Sequence, residues 1–218
     1  TGDGHLAIAL TAPATEPPTA LATEVGIGLT ATDEALAGRA LLRISPRRGA
    51  VERLDIDVEN LGADLRVEGP ELRSWRLDGG TLHLELRGPS RRSVEVLLRW
   101  TTPLPDAQLA EVALPRLLPR GVLARPAILR IAREGDREPL PNLPGWEARA
   151  LDELPAWSDG LVDGASAGWV APESRPGRLT LARFVPVSGP AAVVDVAELE
   201  LATSAEGRSL LRARYQVR

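Results

Sequence analysis

The chain has 218 residues, with 26 basic residues, 30 acidic residues and a formal net charge of −4. Its 44% hydrophobic and 26% charged content is typical of a folded globular protein that buries a core. With no cysteine, disulfides, thiolate metal sites and cysteine nucleophiles are excluded. The mild negative charge offers no general attraction for nucleic acid. No apolar run reaches the roughly 18 residues of a membrane-spanning segment.

Apolar and charged residues alternate through much of the chain, which predicts β-strands from roughly residue 20 to residue 134. The clearest case is Leu54, Ile56 and Val58, which alternate with acidic residues. Asp78-Gly79-Gly80 predicts a tight hairpin turn, because glycine adopts the positive φ that such turns require. Other predicted strands in this region cover 25–31, 41–44, 65–68, 75–77, 82–87 and 94–100.

Short strands with turns at regular intervals predict an all-β fold, specifically an antiparallel, immunoglobulin-like β-sandwich over residues 1–136. Trp75 and Trp100 lie within alternating strands, and we expect both in the core. The helical signal is weak. It predicts one or two turns at each of Asp33–Leu36 and Asp106–Val112.

Residues 137–176 have a different composition, rich in proline and glycine, which cannot sustain long strands or helices. Trp146, Trp157 and Trp169 fall inside this segment. Buried indoles would hold it against a neighbouring element, so we predict an ordered connector. Exposed indoles would instead provide flat platforms for sugar rings, and these three tryptophans are the candidate binding residues.

Strands return in residues 177–218, at 178–185, 193–203 and 208–217, with a turn at Glu206-Gly207. The letters GRSLLR at 207–212 echo GRALLR at 38–43, and each follows a strand-like run and a polar turn. The echo predicts that one hairpin occurs twice and that a second module begins here. A lone hairpin is marginally stable in water. The terminal strands therefore add to the first module's sheet, pair with another chain, or belong to a longer protein.

The run ELRSWRLDGGTL at 71–82 resembles a recurring element of large, mostly uncharacterised bacterial cell-envelope proteins built from tandem β-sandwich modules. The C-terminal runs AELELAT at 197–203 and GRSLLRARY at 207–215 are similar to the start of another such module. The resemblance implies an exported, multi-module, non-enzymatic protein, located in the periplasm, at the cell surface or outside the cell. It carries over no site residues.

Few residues in the sequence could support catalysis or metal binding. His5 and His83 are the only histidines, and nucleophilic catalysis requires a base beside the nucleophile. His83 and Glu85 share a strand face, but a solvated face explains them. The acidic residues between Asp152 and Asp163 match no EF-hand spacing. We predict no catalytic residue, no metal site and no cofactor.

These observations predict a structural or protein-interaction module of the bacterial cell envelope that acts through sheet edges and loops as a subunit of a larger assembly. Edge strands allow a partner chain to add to a sheet. We expect a protein partner or self-association, and neither nucleic acid nor a membrane-spanning segment. The alternative is a carbohydrate-binding module that uses its tryptophans.

Overall fold

The computed structural model describes residues 19–123, 125–184, 194–204 and 209–217. The chain divides into two compact units, Thr1–Phe184 and Val185–Arg218, and each is described by itself. The first 18 residues of the predicted sandwich, His5 among them, lie outside the described residues. So does the predicted turn at Glu206-Gly207.

Nearly all regular structure among the described residues is β-strand, which confirms the all-β class, and their helical content is limited to two short 3-10 helices, η1 and η2. The predicted strands between residues 20 and 134, and those after residue 177, are confirmed where the structure describes them. In chain order the elements are β1 (Ala20–Ala31), β2 (Ala35–Arg48), β3 (Val51–Glu59), β4 (Ala63–Glu68), β5 (Leu72–Asp78), β6 (Thr81–Ser90), β7 (Val94–Pro103), β8 (Leu109–Ala113), β9 (Arg116–Pro119), β10 (Ala127–Arg133), β11 (Arg137–Asn142), β12 (Glu147–Arg149), η1 (Leu151–Glu153), η2 (Ala156–Leu161), β13 (Ala167–Ala171), β14 (Arg178–Arg183), β15 (Val194–Thr203) and β16 (Ser209–Val217).

The largest sheet of the first unit has seven strands in the order β12-β13-β10-β1-β2-β7-β4. Its neighbouring strands are antiparallel except for β1 and β10, which pair in parallel with Val25 opposite Ala127. A parallel pair requires a long crossover. Here the chain between β1 and β10 supplies that crossover and forms several other strands on the way. The sheet is therefore mixed, whereas the sequence pattern predicted antiparallel pairing.

A four-stranded sheet, β5-β6-β3-β9, shares its core with the large sheet. Val25, Leu42 and Leu98 of the large sheet are fully buried, as are Ile56 and Leu82 of the smaller one. All five belong to one hydrophobic cluster. The arrangement is sandwich-like, because each sheet turns its alternate apolar side chains toward the same core.

The predicted connector, 137–176, supplies strands to two sheets of the first unit. β12 and β13 extend the large sheet, and β11 joins a three-stranded sheet in the order β11-β14-β8. These strands have three to six residues, as expected from the many prolines and glycines. The predicted domain boundaries, between residues 136 and 137 and between residues 176 and 177, stay a prediction.

The outer face of the large sheet, opposite the core, is partly covered by η1 and η2. Three glycines in the sheet make this close approach possible. A Cβ on Gly26 would lie 2.6 Å from Trp157, one on Gly28 would lie 2.6 Å from the Leu161 carbonyl oxygen, and one on Gly168 would lie 2.5 Å from Leu154. A side chain at Gly28 would meet the backbone of Leu161 and push residues 151–162, called here the 3-10 segment, away from the sheet. At Gly26 and Gly168 the neighbouring side chains of the segment would have to move instead.

A buried arginine fixes the 3-10 segment in place. Arg130 lies on β10, its side chain is 6% exposed, and its Nη2 lies 2.5 Å from Asp159 Oδ1. Its Nε donates to Ser158 Oγ at 3.0 Å and its Nη2 to the Leu151 carbonyl at 3.4 Å. A buried guanidinium must be paired with a carboxylate and hydrogen-bonded, and the 3-10 segment supplies both the carboxylate and the hydrogen-bond acceptors.

A second buried arginine holds the loops that follow β1 and β7. Arg137 is fully buried and donates hydrogen bonds to three backbone carbonyls, those of Asp33 at 2.8 Å, Pro105 at 2.7 Å and Ala107 at 3.1 Å. Both loops were predicted to be helical turns. That prediction is wrong, because their carbonyls bond to Arg137 and the chain continues directly into β2 and β8.

The two strand tryptophans have different environments. Trp100 is buried in the core, as predicted, and packs over Gly38. Trp75 is 38% exposed, so the prediction that it lies in the core is wrong. It lies on β5, an edge strand of the four-stranded sheet. The pairing of β5 with β6 has a register shift between Leu72 and Ser74, and after this shift the core no longer covers the side chains of β5.

The predicted hairpin turn between β5 and β6 is confirmed. Gly79 and Gly80 have positive φ values of 53° and 82° between Asp78 and Thr81.

We expect Arg137→Met to lower the free energy of unfolding by about 3 kcal/mol, because the buried guanidinium and its hydrogen bonds to three carbonyls are lost. The Asp33 carbonyl keeps a bond from Arg183 and the Pro105 carbonyl keeps one from the Ala107 N–H. Urea unfolding followed by tryptophan fluorescence measures the change.

The matched control is Arg133→Met. Arg133 is the last residue of β10, and the substitution removes its exposed ion pair with Glu138 on β11. An exposed pair contributes roughly 0–1 kcal/mol. Equal losses in the two variants would show that Arg137 does not stabilise the loops.

Candidate functional site

The two-stranded sheet β15-β16 of the second unit has one face that is almost entirely apolar. Leu199 lies opposite Ala213, Leu201 opposite Leu211, and Ala197 opposite Tyr215. Directly opposite residues share a face, so these six side chains form one surface, called here the apolar face. Its three leucines and its tyrosine are 61–68% exposed. Contiguous exposed apolar surface of this kind marks interaction sites in folded proteins.

The other face of this hairpin carries segregated charges. Glu198 and Glu200 lie on β15, opposite Arg214 and Arg212 on β16, with N–O distances of 3.8 Å in both pairs. One strand therefore presents carboxylates and the other presents guanidinium groups. We call this the charged face. It also carries Val196, Ala202 and Leu210, the last of them 71% exposed, so apolar side chains are exposed on both faces of the hairpin and are concentrated on the apolar face.

In both hairpins the repeated motif ends in an arginine that lies opposite a glutamate. Arg43 lies opposite Glu24 with an N–O distance of 3.0 Å, and Arg212 lies opposite Glu200. Both ion pairs are on the face opposite to Leu42 and Leu211. The registers differ, since Leu42 lies opposite Val25 whereas Leu211 lies opposite Leu201, and duplication of the hairpin stays a prediction. Gly207 and Arg208, which begin the second copy of the motif, lie outside the described residues.

The two hairpins differ in what covers their apolar faces. Leu42 and Leu211 hold the same place in the repeated motif, and each lies on the apolar face of its hairpin. Leu42 is fully buried under the four-stranded sheet, whereas Leu211 is 61% exposed. The second hairpin thus has the pattern of a core-forming hairpin without its cover. We therefore take the apolar face as the candidate interaction surface.

The three predicted binding tryptophans lie apart from one another. Trp146 is buried in the hydrophobic core. Trp169 is half-buried and packs against that core, with Leu129 directly opposite on the neighbouring strand. Trp157 lies on the opposite side of the same sheet, where it contacts Gly26. The structure therefore does not assemble Trp146, Trp157 and Trp169 into one platform, and carbohydrate binding by these residues stays a prediction.

Trp157 has an electrostatic contact within the fold. The guanidinium carbon of Arg43 lies 5.3 Å from the centroid of the indole ring, within the range of a cation–π interaction. The same arginine is ion-paired to Glu24 and to Glu95, the latter at 3.1 Å. These contacts join η2 to the outer face of β1, β2 and β7, so Trp157 has a clear structural role.

The polar face of β3 and β6 holds His83. Its Nδ1 lies 2.7 Å from Asp55 Oδ1, directly across the two strands, while Glu85 accepts a hydrogen bond from Ser74 at 2.9 Å. Farther along β3, the Arg120 guanidinium donates a hydrogen bond to Asp57 and holds the pKa of that carboxyl below its ordinary value. Within the described ranges, no three histidine or acidic side chains are grouped as a metal site.

Comparisons with known proteins do not assign the chain to a family. No protein-family model matches it, and no curated protein matches it. Solved structures do match, among them the M1 zinc metallopeptidase from Deinococcus radiodurans, with 11% identity and a TM-score of 0.38. That match covers 89% of this chain and 47% of the metallopeptidase, so the chain spans about half of that structure's length. In the part of the chain that the structure describes, no helix is long and apolar enough to cross a membrane.

We expect Leu42→Asp to lower the free energy of unfolding strongly and Leu211→Asp to change it little, although both change the same residue of the repeated motif. A charge at the buried Leu42 position removes core packing and leaves a carboxylate without a partner, with an expected loss of more than about 4 kcal/mol. At Leu211 the new carboxylate faces solvent, and we expect a change below about 0.5 kcal/mol.

Thermal unfolding of both variants at low protein concentration, followed by far-ultraviolet circular dichroism, measures the difference, because the five tryptophans all lie in the first unit. A Leu211→Asp variant that unfolds as readily as Leu42→Asp would mean that the apolar face is already covered within the monomer.

Proposed function

We propose that this chain is a non-enzymatic structural and protein-interaction module, built on an immunoglobulin-like β-sandwich, of a bacterial cell-envelope protein. We further propose that it self-associates through the β15-β16 hairpin and so serves as a subunit of a larger assembly. The observation that carries the proposal is the exposed apolar face of that hairpin. The location at the envelope rests on the sequence resemblance alone.

Burial of the apolar face provides the driving force for association. The face combines Leu199, Leu201, Leu211 and Tyr215 with two alanines on adjacent strands. Each fully buried leucine contributes roughly 1.5–3 kcal/mol relative to leaving it in water. A two-stranded hairpin gains little stability alone, so a covering surface stabilises the hairpin and the assembly together.

Charge complementarity favours a second copy of this chain as the strand-pairing partner. This edge contact extends the sheet, and the apolar face is buried when two such extended sheets pack face to face. Both strands of the described two-stranded sheet are edge strands in that sheet. Adding β15 of one copy beside β16 of another would place Glu198 and Glu200 near Arg212 and Arg214, repeating the pairs within the hairpin. Pairing β15 with β15 or β16 with β16 would bring like charges together, which is unfavourable. The contact is therefore head-to-tail and can extend beyond a dimer.

Light scattering on the purified chain tests the proposal. We expect a mass above that of the monomer, and we expect Leu201→Asp/Leu211→Asp to reduce it to the monomer, since this directly opposite pair lies within the apolar face.

The control is Arg47→Gln/Arg48→Gln, which removes two exposed charges at the end of β2 and leaves the β15-β16 hairpin unchanged. This variant should remain assembled. A wild-type chain that is monomeric at high concentration would contradict self-association. So would an assembly that the aspartate pair leaves intact.

A further inference from the structure

A row of three arginines crosses the outer face of the large sheet. Arg39 on β2 lies directly opposite Arg99 on β7, and Arg99 lies directly opposite Arg66 on β4. Adjacent strands are about 5 Å apart, and directly opposite side chains share a face. Three guanidinium groups therefore project side by side from one face, at intervals of about 5 Å. We call this set the arginine row.

Carboxylates of the fold neutralise only part of the row. Arg99 lies 3.3 Å from Glu68. Arg39 donates to the Gly160 carbonyl at 2.8 Å, a contact that orients its guanidinium without neutralising the charge. Arg66 makes no hydrogen bond or ion pair with any residue between 19 and 184 that the structure describes.

The same three-strand region provides an internal comparison. Four residues along β2, Arg43 lies between Glu24 on β1 and Glu95 on β7, and it is ion-paired to both. At Arg39 the corresponding neighbours are Gly28 and Arg99. Like charges directly opposite one another destabilise a sheet. The arginine row thus has three adjacent guanidinium groups, whereas the neighbouring row has one guanidinium between two carboxylates.

The arginine row forms part of the floor of a cleft of about 490 Å³. The wall of the cleft is the end of η2, Leu161 and Val162, which the Arg130–Asp159 pair holds against the sheet. Guanidinium groups bind carboxylate and phosphate oxygens in a bidentate manner, and a cleft of this size accommodates a small molecule.

Acidic side chains limit the length of the ligand. Asp64, Glu134 and Asp163 also line the cleft, together with Thr30, Thr32 and Thr101. A long polyanion such as a nucleic acid would bring its charges against these carboxylates. Repulsion of this kind excludes competing ligands and leaves room for a short anion across the arginine row.

We propose that this cleft binds a small ligand with two or three carboxylate or phosphate groups, seated on Arg39, Arg66 and Arg99. The site is on the first unit and does not depend on the proposed self-association. Citrate, a tricarboxylate, and tripolyphosphate are the two probes, with acetate as a monovalent reference.

Isothermal titration calorimetry on the full chain tests the proposal. We expect citrate or tripolyphosphate to bind at least tenfold more tightly than acetate, and the probe that binds identifies carboxylate or phosphate as the ligand chemistry. We expect Arg66→Gln to weaken that binding about tenfold, because one charge-assisted contact is lost.

Two variants separate ligand binding from folding and from net charge. Arg66→Glu should abolish binding and also raise the melting temperature, because it places a carboxylate directly opposite Arg99. Arg91→Gln/Arg92→Gln removes two positive charges from the turn before β7 and should leave binding unchanged. No binding of either probe would overturn the proposal. Equal loss in the Arg91/Arg92 variant would overturn it too, by showing non-specific attraction.

Discussion

Every strand in this protein has two faces, and each face must be covered by another element or carry charge. Because side chains alternate along a strand, a shift of one residue would exchange the two faces completely. In β1, β2 and β7 the inner face packs on the four-stranded sheet, whereas the outer face is partly covered by the 3-10 segment. The close packing of that segment depends on glycines, and its position depends on the buried Arg130.

The same requirement makes the β15-β16 hairpin the most informative part of the chain. It repeats the ion pair of the β1-β2 hairpin on one face and its apolar character on the other. In the first unit the apolar face is the centre of the core. In the second unit Leu199, Leu201, Leu211 and Tyr215 are exposed. The proposed function follows from this difference in exposure. A covered apolar sheet face is part of a folding core, and the same kind of face left exposed can bind a partner.

The alternation of apolar and polar residues was sufficient to predict the strands. It did not predict the burial of side chains whose environment depends on residues distant in the sequence. Leu54, Ile56 and Val58 alternate with acids, and the glycine turn after Asp78 is equally local, so both were predictable. The exposure of Trp75 depends on β5 being an edge strand, which its own sequence does not reveal. Arg137 and Arg39 look like ordinary solvated arginines in the sequence. Carbonyls from distant loops accept hydrogen bonds from the buried Arg137, and the register of β2 with β7 places Arg39 in the arginine row.

Hydrogen–deuterium exchange of the backbone amides, measured at increasing protein concentration, tests the central claim that the apolar face is an association surface. Amides of a hairpin that lacks a cover exchange quickly, whereas core strands exchange slowly. The account predicts that protection of β15 and β16 rises with concentration while protection of β1 and β2 stays constant. Protection of β15 and β16 that is independent of concentration would contradict it, because nothing would then be covering the face through association.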